Sequence, residues 1–354
     1  MAEENTAREH LWPEEDSDII LRAVFLYVGQ GSSTLLLVSN GDDYDVLLID
    51  INLDKKNGGI DVPALVADLV GEQGLYAFVN THPHVDHLSG AEELSKLVSV
   101  GSVWHSGHIP GKKHDKAYKA LKALIKKVSD ANGEVVTLKG SKKSRTIGAV
   151  DYYVLAPAKY VMDEIQDEKP EERYQRIHEQ CAVLRIGIGD KWILIPGDAD
   201  RPSFENHITD YHKERMPSVV LAASHHGSKS FFLSDEEEEP YLDGLKAISP
   251  IYVIVSAPKK DESPHDHPDD QAMKTYREQC GKDNVLHTGA KRYSFICDIY
   301  RDGSFGGISN DKGELGKAYS LDNSDDGDDG KGKSAKVVPI PGHTRVDDRP
   351  MGDQ

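Results

Sequence analysis

Short, dense apolar runs broken by glycine and asparagine dominate residues 19–305. LRAVFLYV (21–28), STLLLVS (33–39) and DVLLID (45–50) are rich in β-branched and leucine residues, and Gly or Asn-Gly turns join them. They predict a meander of buried strands, with Asn40-Gly41 as a hairpin turn. VPALVADLV (62–70) has helical spacing and ends at Gly71. YAFVN (76–80) predicts a short buried strand; residues 88–98 predict a helix and 101–105 another strand. Over 115–128, Ala117, Leu121, Leu124, Ile125 and Val128 fall on one helical face, while Lys116, Lys119, Lys122 and Lys126 project elsewhere.

The second half repeats the rhythm loosely. CAVLRIGI (181–188) and KWILIPGD (191–198) predict a hairpin around Gly189-Asp190. VVLAAS (219–224) and IYVIVSA (251–257) predict strands, 268–280 a helix, and 284–287 and 292–299 closing strands. Strands alternating with helices indicate an α/β protein. Residues 1–18 read as an acidic lead-in, 19–305 as one domain, and 306–354 as a disordered acidic and polar tail.

Composition narrows the class. The chain has 354 residues, a net charge of -18 and three cysteines, with no Cys-x-x-Cys pair. That usage predicts reduced thiols and, with an acidic N-terminus unlike a secretory signal, a cytoplasmic protein. No run reaches the roughly 18–20 apolar residues of a membrane span. A charge of -18 argues against a polyanionic partner until its distribution is read. Residues 1–18 (-6), 235–239 (-5) and 321–354 (-3) hold most of it, whereas 112–145 carries +8. Tyr118 is the one Phe, Tyr or Trp among those lysines, which is not the aromatic interleaving of a stacking platform.

The candidate chemistry lies just after the strands. His82-Pro83-His84-Val85-Asp86-His87 puts four nitrogen and oxygen donors in six residues. Divalent zinc prefers such donors. His82 and His84 would serve one metal, Asp86 and His87 a second. Asp198, ending a strand in LIPGDAD, could bridge two cations, with Asp200 as a rival. Of His225 and His226 in SHHGS, one should be a ligand and the other an orienting or proton-donating group; His225 is favoured as ligand. His178 could complete the first metal's set. His267 is a candidate ligand or general acid, with His265 a lesser one, and His105 and His108 read as surface or substrate-side residues. VGQGSS (28–33) joins two strands and opens no helix, so it is a tight turn beneath the site and not a phosphate-binding loop.

VGQGSS, THPHVDHLSG, LIPGDAD, ASHHGS and the His-Pro of HDHP, in that order, resemble the metallo-β-lactamase-fold hydrolases. More narrowly, they resemble the nuclease-like domain of ComEC-type DNA-uptake proteins and its stand-alone relatives. The resemblance covers about residues 20–305 and implies a four-layer αββα sandwich with two divalent metal ions, zinc first and manganese as the alternative. Tyr27 and Ser32 stand where that narrower family has aspartates, and His84 restores the broader superfamily motif. Many relatives carry Asn near the position of His178.

The expectation is therefore a metal-dependent hydrolase. Two cations would bring the pKa of a bridging water toward neutrality and stabilise charge on a phosphoryl or carbonyl oxygen. Asp86, His226 and His267 are the candidate catalytic residues; His82, His84, Asp86, His87, His178, Asp198 and His225 are the candidate ligands. A phosphodiesterase or nuclease is expected, with a lactone, thioester or β-lactam hydrolase as the alternative. The expected partner is a small phosphodiester or another anionic substrate, including single-stranded nucleic acid, and no membrane.

Overall fold

The computed structural model describes residues 6–321, apart from Asp42, 170–172, 174–175 and 235–238. Most of the acidic run at 235–239 and the tail beyond Leu321 lie outside the described residues.

Fifteen strands, numbered in chain order, form two sheets. The first contains β1 (Ile19–Phe25), β2 (Thr34–Ser39), β3 (Tyr44–Ile49), β4 (Leu75–Asn80), β5 (Val100–His105), β6 (Glu134–Thr137), β14 (Phe295–Tyr300) and β15 (Phe305–Asn310). Its order is β15-β14-β1-β2-β3-β4-β5-β6. The second contains β7 (Arg145–Ile147), β8 (Val150–Ala156), β9 (Val183–Ile188), β10 (Lys191–Ile195), β11 (Val220–Ala222), β12 (Tyr252–Val255) and β13 (Val285–His287), ordered β13-β12-β11-β10-β9-β8-β7.

The apolar runs are continuous because these strands are covered on both faces. On β2, Leu36 and Val38 face the core between the sheets, whereas Leu35 and Leu37 face an outer core. The outer core of the first sheet is completed by helices Val62–Val70, Ala91–Leu97 and Asp115–Asp130. On the outer face of the second sheet, Leu194, Leu221 and Val253 pack with helices Asp243–Ile248 and Asp270–Cys280. Four layers in the order αββα result. Helix Val62–Val70 starts where Asp61 accepts a hydrogen bond from the Ala64 amide at 3.1 Å, and it ends at Gly71.

β3, β4 and β5 run parallel, as do β10, β11 and β12. Their carboxyl ends, and the loops that follow them, gather at one edge of the sandwich. Loops at strand ends are free of ladder pairing and can present side chains.

The expected meander, the Gly189-Asp190 hairpin and helices 62–70, 115–128 and 268–280 correspond to structure. Two boundaries are corrected. Residue 305 does not end the ordered chain: β15 pairs antiparallel with β14, and Leu315 of helix Glu314–Ala318 is fully buried. The lead-in is not wholly solvated, because helix Thr6–Leu11 buries Ala7 and Leu11 in the outer core of the first sheet. Both segments are short and charged, and tertiary packing overrides that composition. Among the described residues, no helix is long and apolar enough to cross a membrane.

Behind the second sheet, burial lowers the His212 pKa from 6.5 to about 4, with Arg215 and Lys142 adding to the effect against a backbone hydrogen bond to Leu155. The unfolded chain therefore binds the proton more readily between those values, and stability falls as pH drops through that window. At about pH 5 this costs about 2 kcal/mol relative to about pH 7. Urea unfolding at the two pH values should show His212→Asn reducing the acid-induced loss by about that amount. An unchanged pH slope would show that His212 is not buried neutral.

Candidate metal centre

The site is assembled around Asp50, the residue after β3. Its Oδ1 accepts from the Thr81 amide at 2.8 Å and from Asn80 Nδ2 at 3.0 Å. Its Oδ2 accepts from the Thr81 hydroxyl at 2.6 Å and from His87 Nδ1 at 2.7 Å. This buried carboxylate ties the end of β3 to the loop after β4 and turns the far nitrogen of His87 inward. His87 Nε2 then lies 3.0 Å from Asp198 Oδ1. Burial alone would lower the His87 pKa, but Asp198 and Asp50 outweigh it and hold it well above the ordinary value.

Thr81 also sets a tautomer. Its hydroxyl proton goes to Asp50, so its oxygen can accept from His82 Nδ1, 3.1 Å away. The lone pair of His82 is left on Nε2, which is 3.3 Å from Asp198 Oδ2. The Val85 amide donates to His114 Nδ1 at 3.1 Å, and His114 stacks on His84 at 4.1 Å between ring centres. Burial pushes His82 and His84 down, so both imidazoles are neutral.

Asp198 reaches the centre because Gly197 turns with φ of +56°; a Cβ there would lie 2.7 Å from Thr81 Oγ1. Burial would raise the Asp198 pKa, but His87, His225, His82 and His226 drive it well below the usual range. The His225 amide donates to the Gly197 carbonyl at 3.1 Å, locking the loops after β10 and β11 together. His225 and His226 both adopt left-handed backbone, with φ of 49° and 56°, as does Asp50 at 56°. His226 Nδ1 donates to the Ser256 carbonyl at 3.1 Å. Its Nε2 therefore faces Asp86 Oδ2 at 3.3 Å and Asp198 Oδ1 at 3.7 Å.

The VGQGSS turn lies against this loop, as expected. The Ser32 amide donates to the Asp86 carbonyl at 3.2 Å, and a Cβ on Gly31 would stand 2.4 Å from that oxygen.

Three donor groups result, each with its ligand atoms within 4.8 Å of one another: Asp86, His87, Asp198 and His226; His82, His84 and Asp198; His178, Asp198 and His225. Asp198 is common to all three. His82 Nε2 and His84 Nε2 are buried and make no hydrogen bond within the described residues. Buried polar atoms are normally paired, and unpaired ones at one point call for a missing partner. Imidazoles and carboxylates gathered this closely are the donor set of divalent zinc or manganese, so these residues fit such cations. His84, Asp86, His178, Asp198, His225 and His226 line an open cleft of about 1020 Å³, together with Gln30, Lys113, Asp200 and His267.

Residues 74–230 match the model of the Metallo-beta-lactamase superfamily. The chain is a metal-dependent hydrolase with the metallo-β-lactamase fold. Among solved structures, this hydrolase is similar to the metallo-beta-lactamase fold protein YhfI from Bacillus subtilis, at 13% identity and TM-score 0.41, over 75% of this chain and 95% of that one. It is similar to Zn(2+)-bound PqqB from Methylobacterium extorquens at 12% identity and TM-score 0.43, over 75% and 97% of the chains. A diphosphatase from the PhnP family matches at 13% identity and TM-score 0.36, over 75% and 94%. No curated protein matches the sequence.

In this hydrolase His82, His84, Asp86, His87 and Asp198 come together as the spacing suggested. Both residues of the SHHGS pair fall in donor groups: His226 in the four-donor group, with its Nδ1 on the Ser256 carbonyl, and His225, the favoured ligand, with His178 and Asp198. His178 pairs at 3.5 Å with Asp200, stands 4.5 Å from the His225 ring and 6.1 Å from that of His84, and groups with Asp198 and His225. Asp200 instead caps the following turn through Ser203. His108 is buried, and its ring lies 5.7 Å from that of His84; it is not a surface residue. His265 is exposed, and His105 accepts from the Gly107 amide. Sequence reasoning missed Asp50, His114 and Ser256. An aspartate closing a buried strand was the available signal for Asp50; nothing local marked the other two.

Because Asp50 orients a candidate ligand, Asp50→Asn should weaken zinc binding about 10–100-fold in a chelator competition titration, and unchanged affinity would refute that role. Gly197→Ala, which drives a methyl group into Thr81, should weaken it similarly while the fold persists by circular dichroism.

Proposed function

We propose that this hydrolase is a phosphodiesterase that cleaves small or single-stranded phosphodiester substrates with two divalent cations, zinc first and manganese as the alternative. The supporting observation is the sharing of Asp198 by histidine-rich donor groups on the floor of an open, polar cleft. Asp86, His87 and His226 would hold one cation and His82 and His84 the other, with Asp198 between them. His178 and His225 form a further donor group beside the second set. Bound there, the cations would supply an activated water and Lewis acidity toward a phosphoryl oxygen. The ordered resemblance of the motifs to ComEC-type nuclease domains favours phosphodiesters over lactones, thioesters and β-lactams.

The chain's own groups complete the reading. His267 lines the cleft beside His225, with ring centres 5.3 Å apart. Burial lowers its pKa to about 4, leaving a neutral ring with one N–H. Such a donor can hydrogen-bond the departing oxygen as charge develops on it. Lys113 at the cleft wall offers a cation to a substrate phosphate. Of the eleven Lys and Arg residues in the basic 112–145 segment, Lys113 alone is among the lining residues. Helix Asp115–Asp130 buries Ala117, Leu121, Leu124 and Val128, which turns Lys116, Lys119, Lys122 and Lys126 to solvent.

Purified protein supplied with Zn²⁺ or Mn²⁺ should hydrolyse bis(p-nitrophenyl) phosphate and leave nitrocefin and lactones intact. Asp198→Ala should abolish turnover, and His267→Asn should lower kcat by about 100-fold with little change in KM. Turnover of nitrocefin or a lactone in preference to the phosphodiester would overturn the proposal.

A further inference from the structure

Outside the cleft, the second sheet carries a cationic and aromatic surface that the hydrolytic centre does not use. Lys142 Nζ sits 4.0 Å over the ring of Tyr211, an exposed tyrosine. Arg215 Nε donates to the Lys142 carbonyl at 3.1 Å, fixing the turn before β7 to the segment before β11. Beneath them Arg185, on β9, lies 3.9 Å over Trp192 and 5.7 Å from Tyr153. Its Nε and Nη2 both donate to the Pro217 carbonyl, at 3.2 and 2.7 Å. Lys143 and Lys213 flank the cluster in sequence, with Asp210 and Glu214 as the neighbouring acids.

Among the described residues, none of Lys142, Lys143, Arg185, Lys213 and Arg215 forms a salt bridge. This is unusual in a chain of net charge -18. Arg185 is the most telling, because its side chain is only 6% exposed and has a carbonyl, not a carboxylate, as its partner. A buried guanidinium without a counter-anion carries a desolvation cost that a bound anion would offset.

We propose that this surface is a binding site for single-stranded nucleic acid, separate from the cleft. Cations beside an exposed aromatic face are what such strands bind, with phosphates on Lys142, Arg215 and the flanking lysines and a base on the Tyr211 ring. A bilayer fits less well, since Tyr211 is the only exposed large apolar side chain of the cluster and offers no aliphatic anchor. The surface lies toward the start of β10, at Trp192, whereas Asp198 follows its end. The two lie toward opposite ends of β10, so a strand reaching both must be several nucleotides long. The inference stands on residues that the proposed phosphodiesterase chemistry does not employ, and it is tested without that chemistry.

The experiment is fluorescence anisotropy of a labelled thirty-nucleotide oligo-dT, about 30 nucleotides being long enough to span both sites, with the full chain in EDTA and a salt titration. Wild type should bind, with affinity falling steeply as salt rises. Lys142→Glu/Arg215→Glu should weaken binding at least about 10-fold and flatten the salt slope. Lys122→Glu/Lys126→Glu, on the solvated face of helix Asp115–Asp130, should leave binding unchanged. No binding by wild type, equal losses in both double variants, or tighter binding to phosphatidylserine vesicles than to the oligonucleotide would overturn the proposal. Matching thermal melts of the variants exclude misfolding. Because EDTA silences metal chemistry, a failure here is distinct from a failure of the phosphodiesterase reading.

Discussion

Asp198 is the constraint on which the rest of the structure depends. A carboxylate only 1% exposed cannot stay ionised without opposite charge or donors around it. The two sheets meet this demand by delivering imidazoles from both sides. His82 and His87 come from the loop after β4, and His225 and His226 from the loop after β11. Asp50 performs the matching task in the first sheet, taking four hydrogen bonds that leave its neighbours only one orientation each. The pair turns the seam between two ordinary sheets into a concentrated set of cation donors.

Much of this was legible because the donor loops follow uninterrupted apolar runs. A strand covered on both faces has to be apolar throughout, so the change to His-Pro-His-Val-Asp-His marks both the strand end and the site. The choice between His225 and His226 was not legible, since adjacent residues differ there only in backbone direction. The left-handed turn sends His226 toward Asp86, and its second nitrogen is claimed by the carbonyl of Ser256, just after β12 and remote in sequence. His108 and His114 were misplaced or missed for the same reason. Their burial comes from packing on His82 and His84, which no local pattern records. The edge strand β15, glycine-rich, and the charged N-terminal helix escaped because short segments gain their order from the surface on which they dock.

Charge follows a similar logic. The sum of -18 describes the chain as a whole, yet most of it belongs to the two ends and one acidic run. The lysines of helix Asp115–Asp130 are a solvated face, with Lys126 paired to Asp130 and Lys122 lying over Tyr118. At the other end of the same basic segment, Lys142 meets the ring of Tyr211, which is remote in sequence.

Asp50, His225 and His226 share one further property, a left-handed backbone at residues with side chains. Each such conformation costs about 1–2 kcal/mol relative to glycine, so the centre is assembled where the fold is least comfortable. Evolution or engineering directed at heat resistance alone would gain by placing glycine or asparagine at these positions. The chain would then become sturdier as it lost its reactive centre. Durability and chemistry here compete for the same three residues, and laboratory selection of robust variants needs a functional screen at every round.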